Sequence, residues 1–131
     1  MGTSNRYRGL GVDVEELISD EQANQLAPLV LTLAERQRWA HAPLGWIVSL
    51  AFSAKESLFK ALYPLLGHPF YFDAAELSDW QADGHASLTL NTTLSLEWRS
   101  GHAFTVHHNL LYGRLLTCVA IPAAHSPLRL M

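Results

Sequence analysis

The amino-acid sequence predicts an α+β domain: one N-terminal strand, helices, then an antiparallel sheet. Two observations carry that expectation. A short alternation of apolar and acidic residues near the start gives way to segments whose apolar positions recur at helical spacing. From about residue 77 the pattern changes to short runs with a period of two, separated by glycine and asparagine.

Residues 9–15 (Gly-Leu-Gly-Val-Asp-Val-Glu) alternate with the period of a strand. Ser19 offers an N-cap for a short helix over residues 20–26, with Asp20 and Glu21 in its first turn. Thr32-Leu33-Ala34-Glu35 is a capping-box pattern that opens a second helix, running to about Trp39. Pro43 and Gly45 punctuate, and a longer helix follows to about Leu65. Its buried stripe is Ile47, Ala51, Ala54, Leu58, Ala61 and Leu65. Pro64, Gly67 and Pro69 mark its end. Residues 77–80, 86–90, 94–99, 103–111 and 115–121 then read as strands, with Gly84, Asn91, Gly101 and Gly113 between them. The helices are expected on one face of this sheet.

A chain of 131 residues, 49% hydrophobic throughout its length, makes one domain with one core and excludes disorder. No apolar run reaches the roughly 18 residues that cross a bilayer; the longest, residues 46–66, is broken by Lys55, Glu56 and Lys60. A net charge of −3 argues against a nucleic-acid partner, which calls for a basic face. Cys118 has no second cysteine to pair with, and no secretory leader pattern is present, so a cytoplasmic home is expected, with Cys118 as a small core residue of a strand. Trp39, Trp46, Trp80 and Trp98 read as core or half-buried packing residues.

Three stretches bear chemistry. Asp13 and Glu15 are two apart in a strand, so they share a face about 6.7 Å apart along the chain. Paired carboxylates repel unless a cation lies between them, and Mg²⁺ is a hard ion that takes a few protein oxygens and leaves places for phosphate and water. The bland reading of this pair is a solvated acidic edge. Glu56 and Lys60 are one helical turn apart, which by itself describes a surface ion pair worth a few tenths of a kcal/mol; Ser53 and Glu56 also spell a capping box. Against both stands the composition, because Lys55 and Lys60 are the only lysines in the chain and they flank Glu56. Glu35 completes its own capping box and can still present an oxygen to a nearby site. Adjacent His107 and His108 face opposite sides of a strand, and no zinc spacing, P-loop or Gly-x-Ser-x-Gly elbow occurs.

In their order and separation these stretches resemble the 4′-phosphopantetheinyl transferase superfamily. Gly11-Val12-Asp13-Val14-Glu15 is similar to its first signature, and Phe52 through Ala61 (Phe-Ser-Ala-Lys-Glu-Ser-Leu-Phe-Lys-Ala) to its second, with Thr32 to Glu35 similar to the Thr-x-x-Glu between them. The spelling is closest to the C-terminal lobe of the enterobactin synthetase component D branch, a siderophore-pathway branch, over about residues 10–121. The resemblance implies Mg²⁺ held by Asp13, Glu15 and Glu56 and bound to the diphosphate of coenzyme A. It implies phosphate contact by Lys60, helped by Lys55, and removal of the serine proton by Glu35, Glu15 or water. The reaction implied is transfer of the phosphopantetheine arm to a serine of an acyl or peptidyl carrier protein, releasing 3′,5′-ADP.

The resemblance further divides the chain into a leader or linker (residues 1–8), one lobe (9–122) and a tail (123–131). Relatives of this spelling carry two lobes. Either an N-terminal lobe is missing or separate chains pair, so self-association through uncovered apolar surface is expected. Two other readings remain open: a non-catalytic lobe that binds a carrier protein or partner subunit, and a metal-dependent phosphohydrolase.

Overall fold

The structure, a computed structural model, describes residues 6–123. Strand β1 (Tyr7–Glu16) is followed by helices α1 (Asp20–Val30), α2 (Leu33–Arg38) and α3 (Leu44–Leu66), then a 3₁₀ turn (Phe72–Ala74) and strands β2 (Ala75–Trp80), β3 (His85–Leu90), β4 (Ala103–Leu111) and β5 (Arg114–Pro122). The sheet order is β1-β5-β4-β3-β2, every pair antiparallel. The first strand therefore pairs with the last, and β1 and β2 are the two edges.

Both short helices begin as the sequence implies. Ser19 and Thr32 each cap with a reciprocal box, to Gln22 and Glu35. The α1 helix continues four residues past the expected Leu26, through Pro28, because Ala23, Ala27 and Val30 form a buried stripe against α3. Helix α3 covers the sheet, with Ile47, Leu50, Ala51, Ala54, Leu58, Ala61 and Leu62 at 0 or 1% exposure. From the sheet, Leu77, Leu88, Val106, Leu115, Val119 and Ile121 complete the core. The domain is thus α+β with its helices on one face, as expected.

Helix α3 lies almost backbone to backbone on β1. A Cβ on Gly11 would stand 1.8 Å from the Ser57 carbonyl oxygen, and one on Gly9 2.5 Å from that of Ala61. Only glycine permits this approach.

One expected strand does not form. Residues 94–99 make a tight loop: the backbone N–H groups of Leu94 and Ser95 donate to the Trp98 carbonyl, and those of Glu97 and Trp98 to the Ser95 hydroxyl. The loop closes its own hydrogen bonds and tucks Trp98 into the core at 4% exposure, so its alternation has no neighbour to ladder with. Strand β1 also starts earlier than expected, at Tyr7, and β2 at Ala75. The remaining tryptophans, Trp39, Trp46 and Trp80, are half-buried and pack together, Trp46 edge to face with Trp80 and Trp39 tilted against it, and Cys118 is half-buried in β5. Of the expected leader (residues 1–8), residues 1–5 lie outside the described residues and Tyr7 and Arg8 belong to β1, while all of the expected tail but Ala123 lies outside them.

Candidate functional site

The pleat of β1 turns Gly9, Gly11, Asp13 and Glu15 toward α3 and leaves Leu10, Val12 and Val14 on the outer face. Asp13 is buried at 6% exposure, opposite Thr117 of β5. From α3, Lys60 Nζ donates to Asp13 Oδ1 at 3.0 Å and to the Val12 carbonyl at 3.2 Å. Glu56 sits one turn before Lys60 on the same helix.

The charges in this corner act on one another. Burial first, then the neighbouring carboxyl of Asp13 and the repulsion of Glu56, push the Glu15 carboxyl up from 4.5 to about 7, against the pull of Lys60. Lys60 is raised above the ordinary lysine value, chiefly by its hydrogen bond to Asp13, with Glu56 and Glu15 adding to it. Three carboxylates thus face one ammonium, and Asp13 Oδ2 is buried without a hydrogen-bond partner. An excess of negative charge and an orphaned carboxylate oxygen fit a hard divalent cation. Among the described residues no three or more acidic, histidine or cysteine side chains are already grouped closely enough to hold a metal ion. The ammonium of Lys60 is the counter-ion that Asp13 has.

Glu35 and Lys55 belong elsewhere. Glu35 is completely buried: Oε1 accepts from the Thr32 N–H and from Lys55 Nζ, each at 2.8 Å, and Oε2 accepts from the Leu77 N–H. Lys55, at 4% exposure, also donates to the Val30 carbonyl at 2.8 Å. Burial pulls the Lys55 ammonium below its usual range, opposed by Glu35. This corrects two expectations. Both oxygens of Glu35 are engaged inside the protein, so it has none to receive a substrate proton, and the Lys55 ammonium is spent on α1 and α2 instead of a phosphate. The pair ties α1, α2, α3 and β2 together.

Two features had little or no signal in the sequence. A cavity of about 300 Å³ adjoins Glu56, walled by Phe59, Phe70, Tyr71 and Phe72 with the stem of Lys55; the aromatic run after α3 was its only mark. Buried hydroxyls of Ser53, Ser57 and Thr117 meet between α3 and β5; the capping-box spelling at Ser53 falls mid-helix, and nothing in the sequence marked the other two. A larger groove, about 760 Å³ around Trp46, Trp80 and His108, holds none of the expected site residues.

A family description, the 4′-phosphopantetheinyl transferase superfamily, matches residues 9–113, a span that contains both edges of the acidic corner. The chain belongs to that superfamily. Among its relatives is the enterobactin synthase component D of Salmonella typhi, 39% identical over 83 residues, which are 62% of this chain and 35% of that protein. The protein of the same name from Escherichia coli strain K12 is 44% identical over 54 residues, 40% of this chain and 26% of the relative. The chain therefore spans about a third, or less, of the length of the curated relatives it matches. Solved phosphopantetheinyl transferase folds superpose as well. The holo-acyl-carrier-protein synthase of Thermotoga maritima gives a TM-score of 0.63 at 20% identity, covering 88% of this chain and 64% of that one. The enzyme from Plasmodium yoelii gives 0.61 at 15%, covering 91% and 97%. The fold of this transferase superfamily is thus present, with β5, beyond the matched span, completing the sheet beside β1.

Proposed function

We propose that this chain is the catalytic lobe of a phosphopantetheinyl transferase, moving the 4′-phosphopantetheine arm of coenzyme A to a serine of an acyl or peptidyl carrier protein and releasing 3′,5′-ADP. The observation that carries the reading is the corner where Asp13 and Glu15 of β1 meet Lys60 and Glu56 of α3. Asp13, Glu15 and Glu56 would hold Mg²⁺, which when bound neutralises charge on the diphosphate as the serine oxygen attacks. Lys60, half-exposed at the rim, reaches a phosphate oxygen and balances the charge that builds on it. With both oxygens of Glu35 engaged, Glu15 or a water beside the ion is left to take the serine proton. The aromatic cavity beside Glu56 offers an apolar wall to the gem-dimethyl part of an arm that is otherwise polar.

The names of the curated relatives make a siderophore-synthesis carrier protein the first substrate to try, and coenzyme A chemistry with a lone thiol is consistent with a cytoplasmic enzyme. The outer face of β1 is left for a second lobe or a second copy. Because the chain covers so little of its relatives' length, a second reading is a non-catalytic lobe that binds a carrier protein or partner subunit. The deciding experiment is a transfer assay with this chain, a carrier protein, coenzyme A and Mg²⁺. Glu56→Ala is expected to abolish transfer while leaving the circular-dichroism spectrum unchanged. Transfer by the variant at the parent rate refutes the metal assignment; a parent that binds the carrier protein but never coenzyme A favours the second reading.

A further inference from the structure

Beneath the acidic corner lies a second polar cluster, made only of hydroxyls. Ser53 and Ser57, one turn apart on α3, and Thr117 on β5 are all at 0% exposure. Thr117 Oγ1 donates to the Ser53 carbonyl at 2.9 Å, and its oxygen lies 2.8 Å from Ser53 Oγ and 2.6 Å from Ser57 Oγ. Ser57 Oγ is also 3.2 Å from the Thr117 carbonyl. These bonds link α3 to β5 inside an otherwise apolar contact.

Their place gives them a consequence. Thr117 is the residue opposite Asp13 in the β1–β5 ladder. Glu56 lies on α3 between the two serines, and the Ser57 carbonyl is the atom that rests on Gly11 of β1. Apolar contacts are non-directional and by themselves fix the height and rotation of a helix only loosely. Hydrogen bonds weaken steeply when misaligned, so hydroxyls bonded from two successive turns fix both the height and the rotation of the helix.

We propose that Thr117, acting through Ser53 and Ser57, is a positioning residue that sets where Glu56 stands relative to Asp13 and Glu15. This rests on the cation-site reading above. Thr117 touches neither substrate nor ion; it holds the two ligand-bearing elements in one register. Its loss should loosen the cation site before it unfolds the domain.

The experiment measures Mn²⁺ binding, by the electron paramagnetic resonance of free Mn²⁺, together with the thermal midpoint. It compares the parent with Thr117→Val, Thr117→Ser, Asp13→Asn and Ser78→Ala. Ser78 is the control, since its hydroxyl meets Thr89 at 2.8 Å near the opposite edge of the sheet. Thr117→Val is expected to lose about tenfold in Mn²⁺ affinity, as for supporting residues of other metal sites, and Thr117→Ser to keep it. Ser78→Ala should lower the midpoint with affinity unchanged. Should Thr117→Val fail to fold, Ser57→Ala removes part of the network and makes the same comparison. Parent affinity in Thr117→Val, or an equal loss in Ser78→Ala, overturns the inference while Asp13-dependent binding by the parent stands. Parent binding that ignores Asp13→Asn overturns the cation site, and this inference with it.

Discussion

Glu15 holds its proton more tightly than a free glutamate because it is partly buried beside two other acids. Between pH 4.5 and about 7 the folded chain therefore keeps a proton that the unfolded chain releases. Stability from this group is full below about 4.5 and is lost as pH rises through 7. The thermal midpoint of the metal-free chain is expected to fall across that window, and Glu15→Gln to flatten the slope; a titration of midpoint against pH reads both. The Glu35–Lys55 pair gives a different outcome. Lys55→Met strands a buried carboxylate and should cost about 3–5 kcal/mol in urea denaturation, while adding Glu35→Gln recovers part of the loss. The capping box at Thr32 was legible from spelling, and the structure has it, with Glu35 N–H donating to Thr32 Oγ1 at 3.1 Å. What spelling does not carry is the other carboxylate oxygen. A capping pattern fixes the near partner, three residues away, and is silent on Leu77, forty-two residues on, which closes Glu35 off.

Helix α3 and strand β1 show how much of an element can be read and why. The stripe from Ile47 to Leu65 was legible because a 3.6-residue period survives averaging over about five turns, and the core bears it out at Ile47, Ala51, Ala54, Leu58 and Ala61. The alternation in β1 was legible for the same reason at period two. The strand expected at residues 94–99 shared that alternation and failed, because a strand needs a neighbour and Ser95 offered a local partner first. The meeting of α3 with β1 turns on Gly11. Gly11→Ala places a methyl group against the Ser57 carbonyl with no flexible side chain to yield. The helix must lift, at a cost of about 1–3 kcal/mol or more, and Glu56 and Lys60 lift with it. Denaturant titration and Mn²⁺ affinity are both expected to fall in this variant.

Taken whole, the molecule covers one face of its sheet and leaves the other bare near β1. Leu10, Val12 and Val14 are 63, 43 and 51% exposed on an edge strand, with Leu116 and Cys118 half-buried beside them. An apolar strip along an open edge invites a second protein surface. Concentration-dependent association is expected in sedimentation velocity, and Val12→Lys with Val14→Lys should return the chain to a single slow species without touching the inward acids. The pairing of β1 with β5 carries one more implication. The strand that bears Asp13 and Glu15 is synthesised before all the helices and the rest of the sheet, yet the partner that holds it, Arg114–Pro122, is the last strand of the described fold. Until β5 has been made the two acids ride on a segment with no ladder to join, and closing a loop of that length is slow. Assembly of the acidic corner therefore waits on β5: a nascent product that stops before Arg114 can form its helices and still leave Asp13 and Glu15 on an unpaired strand.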